Sequence, residues 1–78
     1  MGQDIKADQR IGDNIRCARK GKGLTQGELA AKLQTDGCDI SRGTLAKIEA
    51  GIRHISVEEL KHIKAILDME YEDFFADL

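Results

Sequence analysis

Hydrophobic residues recur at spacings of three and four along most of this chain, beginning at Ile11 and ending at Phe75. That period places apolar side chains on one face of a helix, and no stretch shows the two-residue alternation of a half-buried strand. Glycines and short polar runs separate the periodic segments, and no proline interrupts them. The pattern therefore predicts an all-α protein, a compact bundle of about five short helices at residues 8–20, 26–34, 42–50, 57–67 and 71–76.

The residues before the first periodic segment are polar and lack an apolar face. We therefore expect residues 1–7 to be a flexible lead-in and residues 8–78 to form a single domain, with Asp8 as the N-cap of the first helix. A chain of 78 residues buries only about 60–65% of its unfolded surface, so its stability should be modest.

Three predicted helices begin with the same arrangement, a hydroxyl residue between two apolar positions. The hydroxyl residues are Thr25, Ser41 and Ser56, and each can accept a hydrogen bond from a backbone N–H of its first turn. Glu28 and Glu59 follow the first and third of these at the spacing of a capping box. The middle helix has no such acid, so no carboxylate at that position would repel a phosphate.

The composition indicates a soluble globular protein. Hydrophobic residues make up 41% of the chain and charged residues 33%. No apolar run approaches the roughly 18 residues of a membrane span, and the N-terminus has no signal-peptide core. A cytoplasmic protein without a membrane partner is expected.

Cysteine and histidine are too sparse and too scattered to indicate a bridge or a metal site. Cys17 and Cys38 are expected to be free thiols in a reducing compartment, and His54 and His62 lie at no ligand spacing from either. No motif joins a nucleophile to a base, so neither an enzyme nor a bound cofactor is predicted.

The net charge of −2 conceals an asymmetry between the two parts of the chain. Residues 1–53 carry a charge of +3, whereas residues 54–78 carry −5. Because the local field governs binding, the basic part remains a candidate for contact with nucleic acid. The acidic end is most simply a solvated face.

Two stretches that cover the second and third predicted helices resemble the helix-turn-helix of Cro and phage repressors, the Xre-like regulators. They are GLTQGELAAKL and ISRGTLAKIEAGIR. The resemblance extends over about residues 11–75 and implies a lambda-repressor-like DNA-binding domain. The segment QTDGCDI between the two helices of the motif is longer than the usual turn of about three to four residues. A longer linker shifts the second helix relative to the first and places two acids near the DNA side.

In similar regulators the second helix of the motif enters the major groove, so the resemblance gives this role to the helix at about residues 41–50. Arg42 would bind guanine O6 and N7, Lys47 a guanine or a phosphate, and Thr44 a phosphate or a thymine methyl. Gln26 would hold a backbone phosphate at the N-terminus of its helix. For each residue the alternative is an ordinary solvated helix face. The implied DNA-binding residues are Gln26, Ser41, Arg42, Gly43, Thr44, Lys47 and Arg53.

The resemblance also implies a structural ion pair between Arg19, late in the first helix, and Glu49, at the end of the recognition helix. If the pair is buried, removing one partner costs about 3–5 kcal/mol. If it is exposed, the pair contributes under about 1 kcal/mol. Neither residue is expected to read bases.

Two functions from different classes remain open. The first is sequence-specific binding of double-stranded DNA by a homodimeric transcriptional regulator, with a repressor favoured and half-sites about 34 Å apart. The second is a protein-binding module on the same fold, such as an antitoxin, with Phe74, Phe75 and Leu78 on the partner surface. The basic recognition helix favours the first, and an exposed apolar patch formed by Phe74, Phe75 and Leu78 would favour the second.

Overall fold

The computed structural model describes the backbone of residues 2–77 and the side chains of residues 8–77. Within this part of the chain, helices follow one another without a strand. They are α1 (Gly2–Gly21), α2 (Gln26–Thr35), α3 (Arg42–Glu49), α4 (Val57–Leu67) and a 3₁₀ helix (Tyr71–Phe75). The predicted all-α bundle is confirmed, and the predicted bounds of α4 equal the observed ones. None of the described helices is long and apolar enough to cross a bilayer.

Helix α1 begins at Gly2, so the predicted start near Asp8 is wrong. The residues between these two positions include neither proline nor glycine. A helix continues through such residues without an apolar face, because each added residue completes a further hydrogen bond. Asp8 lies inside α1, where its Oδ2 atom is 2.6 Å from Nδ1 of His54. The division of the chain at residue 8 into lead-in and domain stays a prediction.

The predicted capping boxes start α2 and α4. The backbone N–H of Glu28 donates to Oγ1 of Thr25, and that of Glu59 donates to Oγ of Ser56, each at 3.1 Å. In return, the N–H of Thr25 donates to Glu28 at 2.8 Å, and the N–H of Ser56 donates to Glu59 at 2.9 Å. Both boxes are confirmed, so local sequence signals fix where these helices begin.

The 3₁₀ helix closes the hydrophobic core against α1. Nδ2 of Asn14 donates to the carbonyl oxygens of Phe74 and Ala76, each at 2.9 Å. The ring of Phe74 is fully buried, so the prediction that it belongs to an exposed partner surface is wrong. Phe75 is 52% exposed, and Leu78 lies outside the described residues. The largest fully buried side chains are Phe74, Ile15, Leu29, Leu33, Ile40, Leu45, Ile48 and Ile63.

Two glycines let the end of α3 approach α1 closely. A Cβ atom at Gly12 would lie 2.4 Å from the carbonyl oxygen of Ile48 and 2.6 Å from that of Glu49. Gly51 ends α3 with a left-handed φ of 76°, and a Cβ atom there would lie 2.8 Å from Cα of Gln9. Gly51 directly follows the helix predicted at residues 42–50, a position where glycine commonly ends a helix. The sequence did not predict that both glycines are required by contact with α1.

The long linker between α2 and α3 is anchored to α2. Cys38 is buried, and its backbone N–H donates to the carbonyl oxygen of Leu33 at 2.8 Å. Nε2 of Gln34 donates to the carbonyl oxygen of Ile40 at 2.9 Å. Burial raises the pKa of the Cys38 thiol, and nearby carboxylates raise it further. The thiol is therefore an uncharged part of the core, and the linker enters α3 from a fixed position.

Candidate nucleic-acid interface

Helix α3 presents its first turn and Lys47 to solvent. Oγ of Ser41 accepts a hydrogen bond from the backbone N–H of Thr44 at 3.1 Å and caps the helix, as the sequence predicted. The first turn contains no acid, and Glu49, the only acid of α3, is buried. The exposed face therefore carries the charges of Arg42 and Lys47 with no carboxylate of the same helix beside them. Its exposed residues are Ser41, Arg42, Gly43 and Lys47, with Thr44 half-buried.

Arg19 and Glu49 form a buried, bidentate ion pair that joins α1 to α3. Nε of Arg19 lies 2.7 Å from Oε2 of Glu49, and Nη2 lies 2.9 Å from Oε1. The two side chains are 8% and 2% exposed. Nη1 of Arg19 also donates to the carbonyl oxygen of Leu24 at 2.8 Å. The hydrogen bond to Glu49 raises the pKa of Arg19 above its usual value. The two parallel contacts fix the end of α3 against α1.

Gln26, the first residue of α2, is tied to the same carboxylate. Its Nε2 atom donates to Oε1 of Glu49 at 3.0 Å. The side-chain donor predicted to bind a phosphate is therefore engaged within the protein. At the first turn of α2 the backbone N–H groups of Gln26 and Gly27 precede the first intrahelical hydrogen bond, which leaves them available to an anion.

A groove runs between the end of α1 and the first turns of α2 and α3. Its lining contains three cations and no acid, and Glu49 neutralises one of the three from behind. Lys20 was not among the residues that the sequence predicted for DNA binding, because only the packing of α2 and α3 beside the end of α1 places it in this groove. The lining residues are Arg19, Lys20, Gly23, Leu24, Thr25, Gln26, Gly27 and Arg42.

Arg53, predicted to contact a phosphate, is held by Glu59 instead. Nη1 and Nη2 of Arg53 each lie 3.0 Å from a carboxylate oxygen of Glu59, and Nη1 also donates to the carbonyl oxygen of His54 at 3.0 Å. The pKa of Glu59 is lowered, chiefly by the hydrogen bonds from Arg53. Because the side chain of Arg53 is still 40% exposed, a phosphate contact there would have to be shared with this ion pair.

Replacing Glu59 with glutamine is expected to make folding less sensitive to acid. The pKa of Glu59 is lower in the folded protein than in the unfolded chain, where it is roughly 4.3. The ionised carboxylate therefore stabilises the fold above the unfolded-state pKa, and this contribution is lost as the pH falls through the folded-state pKa. Urea unfolding at pH 7 and pH 3 should show a larger loss of stability in the wild type than in Glu59→Gln. The difference should stay under about 1 kcal/mol because Arg53 is partly exposed. Glu58→Gln is the matched control, and equal pH dependence in both variants would contradict the assignment.

Comparison with family profiles identifies the family of this chain. Searches of curated proteins and of solved structures find no match to it. A sequence profile described as helix-turn-helix matches residues 15–74. That range contains the two helices of the motif, the long linker and the buried pair of Arg19 and Glu49. The chain therefore belongs to the helix-turn-helix family of Cro- and phage-repressor type, whose members are DNA-binding transcriptional regulators.

Proposed function

We propose that this protein binds double-stranded DNA sequence-specifically and represses transcription as a homodimer. The exposed face of α3 supports this function, because it presents Arg42 and Lys47 with no exposed acid of the same helix. An α-helix fits the major groove, where arginine binds guanine O6 and N7 and lysine binds guanine or a phosphate. Gly43, between these positions, offers no side chain to hinder close approach. The first turn of α2 would hold a backbone phosphate beside Gln26.

A two-fold dimer would present two α3 helices to one face of the duplex. Half-sites would then lie about one helical turn, roughly 34 Å, apart. Duplexes selected from a random pool should contain two inverted half-sites, and sedimentation of the complex should give two protein chains per duplex. A selected site without inverted symmetry would contradict the dimer.

The alternative, an antitoxin or other protein-binding module, receives less support. Of the three residues predicted for its partner surface, Phe74 fills the core and Phe75 is half-exposed. The patch that would favour this alternative is therefore smaller than the sequence predicted.

Replacing Arg42 with alanine is expected to relax base selection at one position of each half-site. A bidentate contact to guanine contributes about 1–3 kcal/mol of discrimination, so the preference there should fall about five- to 150-fold. Selection from a random pool with wild type and Arg42→Ala measures this directly. Unchanged selection after Arg42→Ala would show that Arg42 does not read a base.

Lys32→Ala provides a control of equal charge, because Lys32 lies with Ile66 of α4 in a groove that contains no residue of α3. It should leave the selected sequence unchanged. For the wild type, the affinity for the selected duplex should fall steeply with salt, since each neutralised phosphate contributes about 0.9 to the slope of the log–log plot. Absence of salt-sensitive duplex binding would contradict the proposed function itself.

A further inference from the structure

The side chain of Arg42 lies against the first turn of α2 at Gly27. A Cβ atom at Gly27 would lie 3.7 Å from Cδ of Arg42, and this is the nearest atom that it would meet. Both residues line the groove at the start of α2. A side chain at position 27 would therefore lie next to the side chain of Arg42.

Arg42 has no carboxylate partner among the side chains that the structure describes. Arg42 takes part in none of the ion pairs found among residues 8–77. Glu49, the acid of α3, is buried and already accepts hydrogen bonds from Arg19 and Gln26. Glu28 is engaged by the capping box with Thr25. A carboxylate introduced at position 27 of α2 would lie close enough to Arg42 to pair with it.

Glycine at position 27 lowers the stability of α2. Glycine is disfavoured in helices relative to other residues, whereas an acid in the first turn is stabilised by the N-terminal N–H groups. From a Cβ atom 3.7 Å from Cδ of Arg42, the carboxylate of a glutamate could reach the guanidinium, because both groups lie two to three bonds further along their side chains. The residue that suits α2 best would therefore pair with Arg42.

We propose that Gly27 is a positioning residue for DNA binding: by adding no side chain beside Arg42, it leaves the Arg42 guanidinium unpaired and able to contact DNA. This inference rests on the proposed function. A residue of α2 would then control whether Arg42, at the start of α3, is free to contact a base. Gly27 itself touches no base in this arrangement.

A double-mutant cycle tests the coupling between positions 27 and 42. Gly27→Glu and Gly27→Gln are each made in the wild type and in Arg42→Ala, and their affinities for the selected duplex are measured at one salt concentration. Gly27→Glu should weaken binding more than tenfold in the wild type. The loss should be clearly smaller in Arg42→Ala, where only repulsion of the phosphate at the first turn of α2 remains. Gly27→Gln, which is similar in size but neutral, should weaken binding much less. An equal loss from Gly27→Glu in both backgrounds would show simple repulsion of DNA and would overturn the proposal, as would no loss at all.

A second measurement needs no DNA and so separates this inference from the proposed function. The pKa of the carboxylate introduced by Gly27→Glu is followed by NMR titration, with and without Arg42→Ala. Pairing predicts a lower pKa when Arg42 is present. Equal pKa values in the two backgrounds would overturn the inference even if the wild type binds DNA. A wild type that fails to bind duplex would overturn the proposed function, while a lowered pKa would still establish that position 27 controls the pairing of Arg42.

Discussion

Replacing Glu49 with alanine is expected to destabilise the protein by about 3–5 kcal/mol. The substitution leaves the guanidinium of Arg19 buried and without its carboxylate, and it also removes the acceptor of the Gln26 amide. Small domains have total stabilities of about 5–15 kcal/mol, so the loss is a large fraction of the whole. Urea unfolding followed by circular dichroism measures it.

Glu58→Ala is the matched control for this prediction. Glu58 is exposed and lies 3.7 Å from Lys61, an arrangement that contributes under about 1 kcal/mol. Replacing both members of the buried pair by apolar residues, Arg19→Met with Glu49→Leu, should recover much of the loss, because no buried charge is then unpaired. A cost for Glu49→Ala no larger than that for Glu58→Ala would show that the buried pair does not hold α3.

Replacing Gly12 with alanine is expected to destabilise the protein by about 1–3 kcal/mol, the usual cost of overpacking. Helix propensity alone predicts the opposite, a gain of up to about 1 kcal/mol. The added Cβ atom would lie 2.4 Å from the carbonyl oxygen of Ile48, a backbone atom that cannot rotate away. Helix α3 must then move relative to α1, so the affinity for DNA should fall together with the stability.

Gly21→Ala is the control for helix propensity, because a Cβ atom there would meet nothing within 4 Å. It should leave stability unchanged or slightly raised. Thermal unfolding of the two variants side by side separates propensity from close packing. A Gly12→Ala variant as stable as Gly21→Ala would show that α1 and α3 are not in close contact.

Much of the fold could be predicted from the sequence because the signals concerned are local. A hydroxyl residue and the acid three positions after it form a capping box within a single turn, so Ser56 and Glu59 fix the start of α4 wherever that helix packs. Gly51 ends α3 for a similar reason, since the left-handed exit is a property of one residue. The exposed face of α3 also followed from helical spacing, which places Gly43 and Lys47 opposite Leu45 and Ile48.

The pairing of side chains across helices was decided by the tertiary structure. Gln26 donates to Glu49 and Arg53 pairs with Glu59, contacts that the sequence did not predict. A phosphate contact by either side chain stays a prediction. Phe74 and Phe75 are neighbours of the same type, yet packing against α1 buries the first and exposes the second. Such outcomes depend on the distance and angle between helices.

The sequence alone was therefore enough to predict the number and order of the helices, the N-caps at Thr25, Ser41 and Ser56, and the basic charge of the exposed face of α3. Packing between the helices set which of the charged and polar groups are buried or paired and which are exposed. It buried Arg19 against Glu49, brought Lys20 into the groove and laid Arg42 beside Gly27. The physical reason is that a cap is satisfied within one turn, whereas an ion pair or a close glycine contact exists only once two distant segments have packed together.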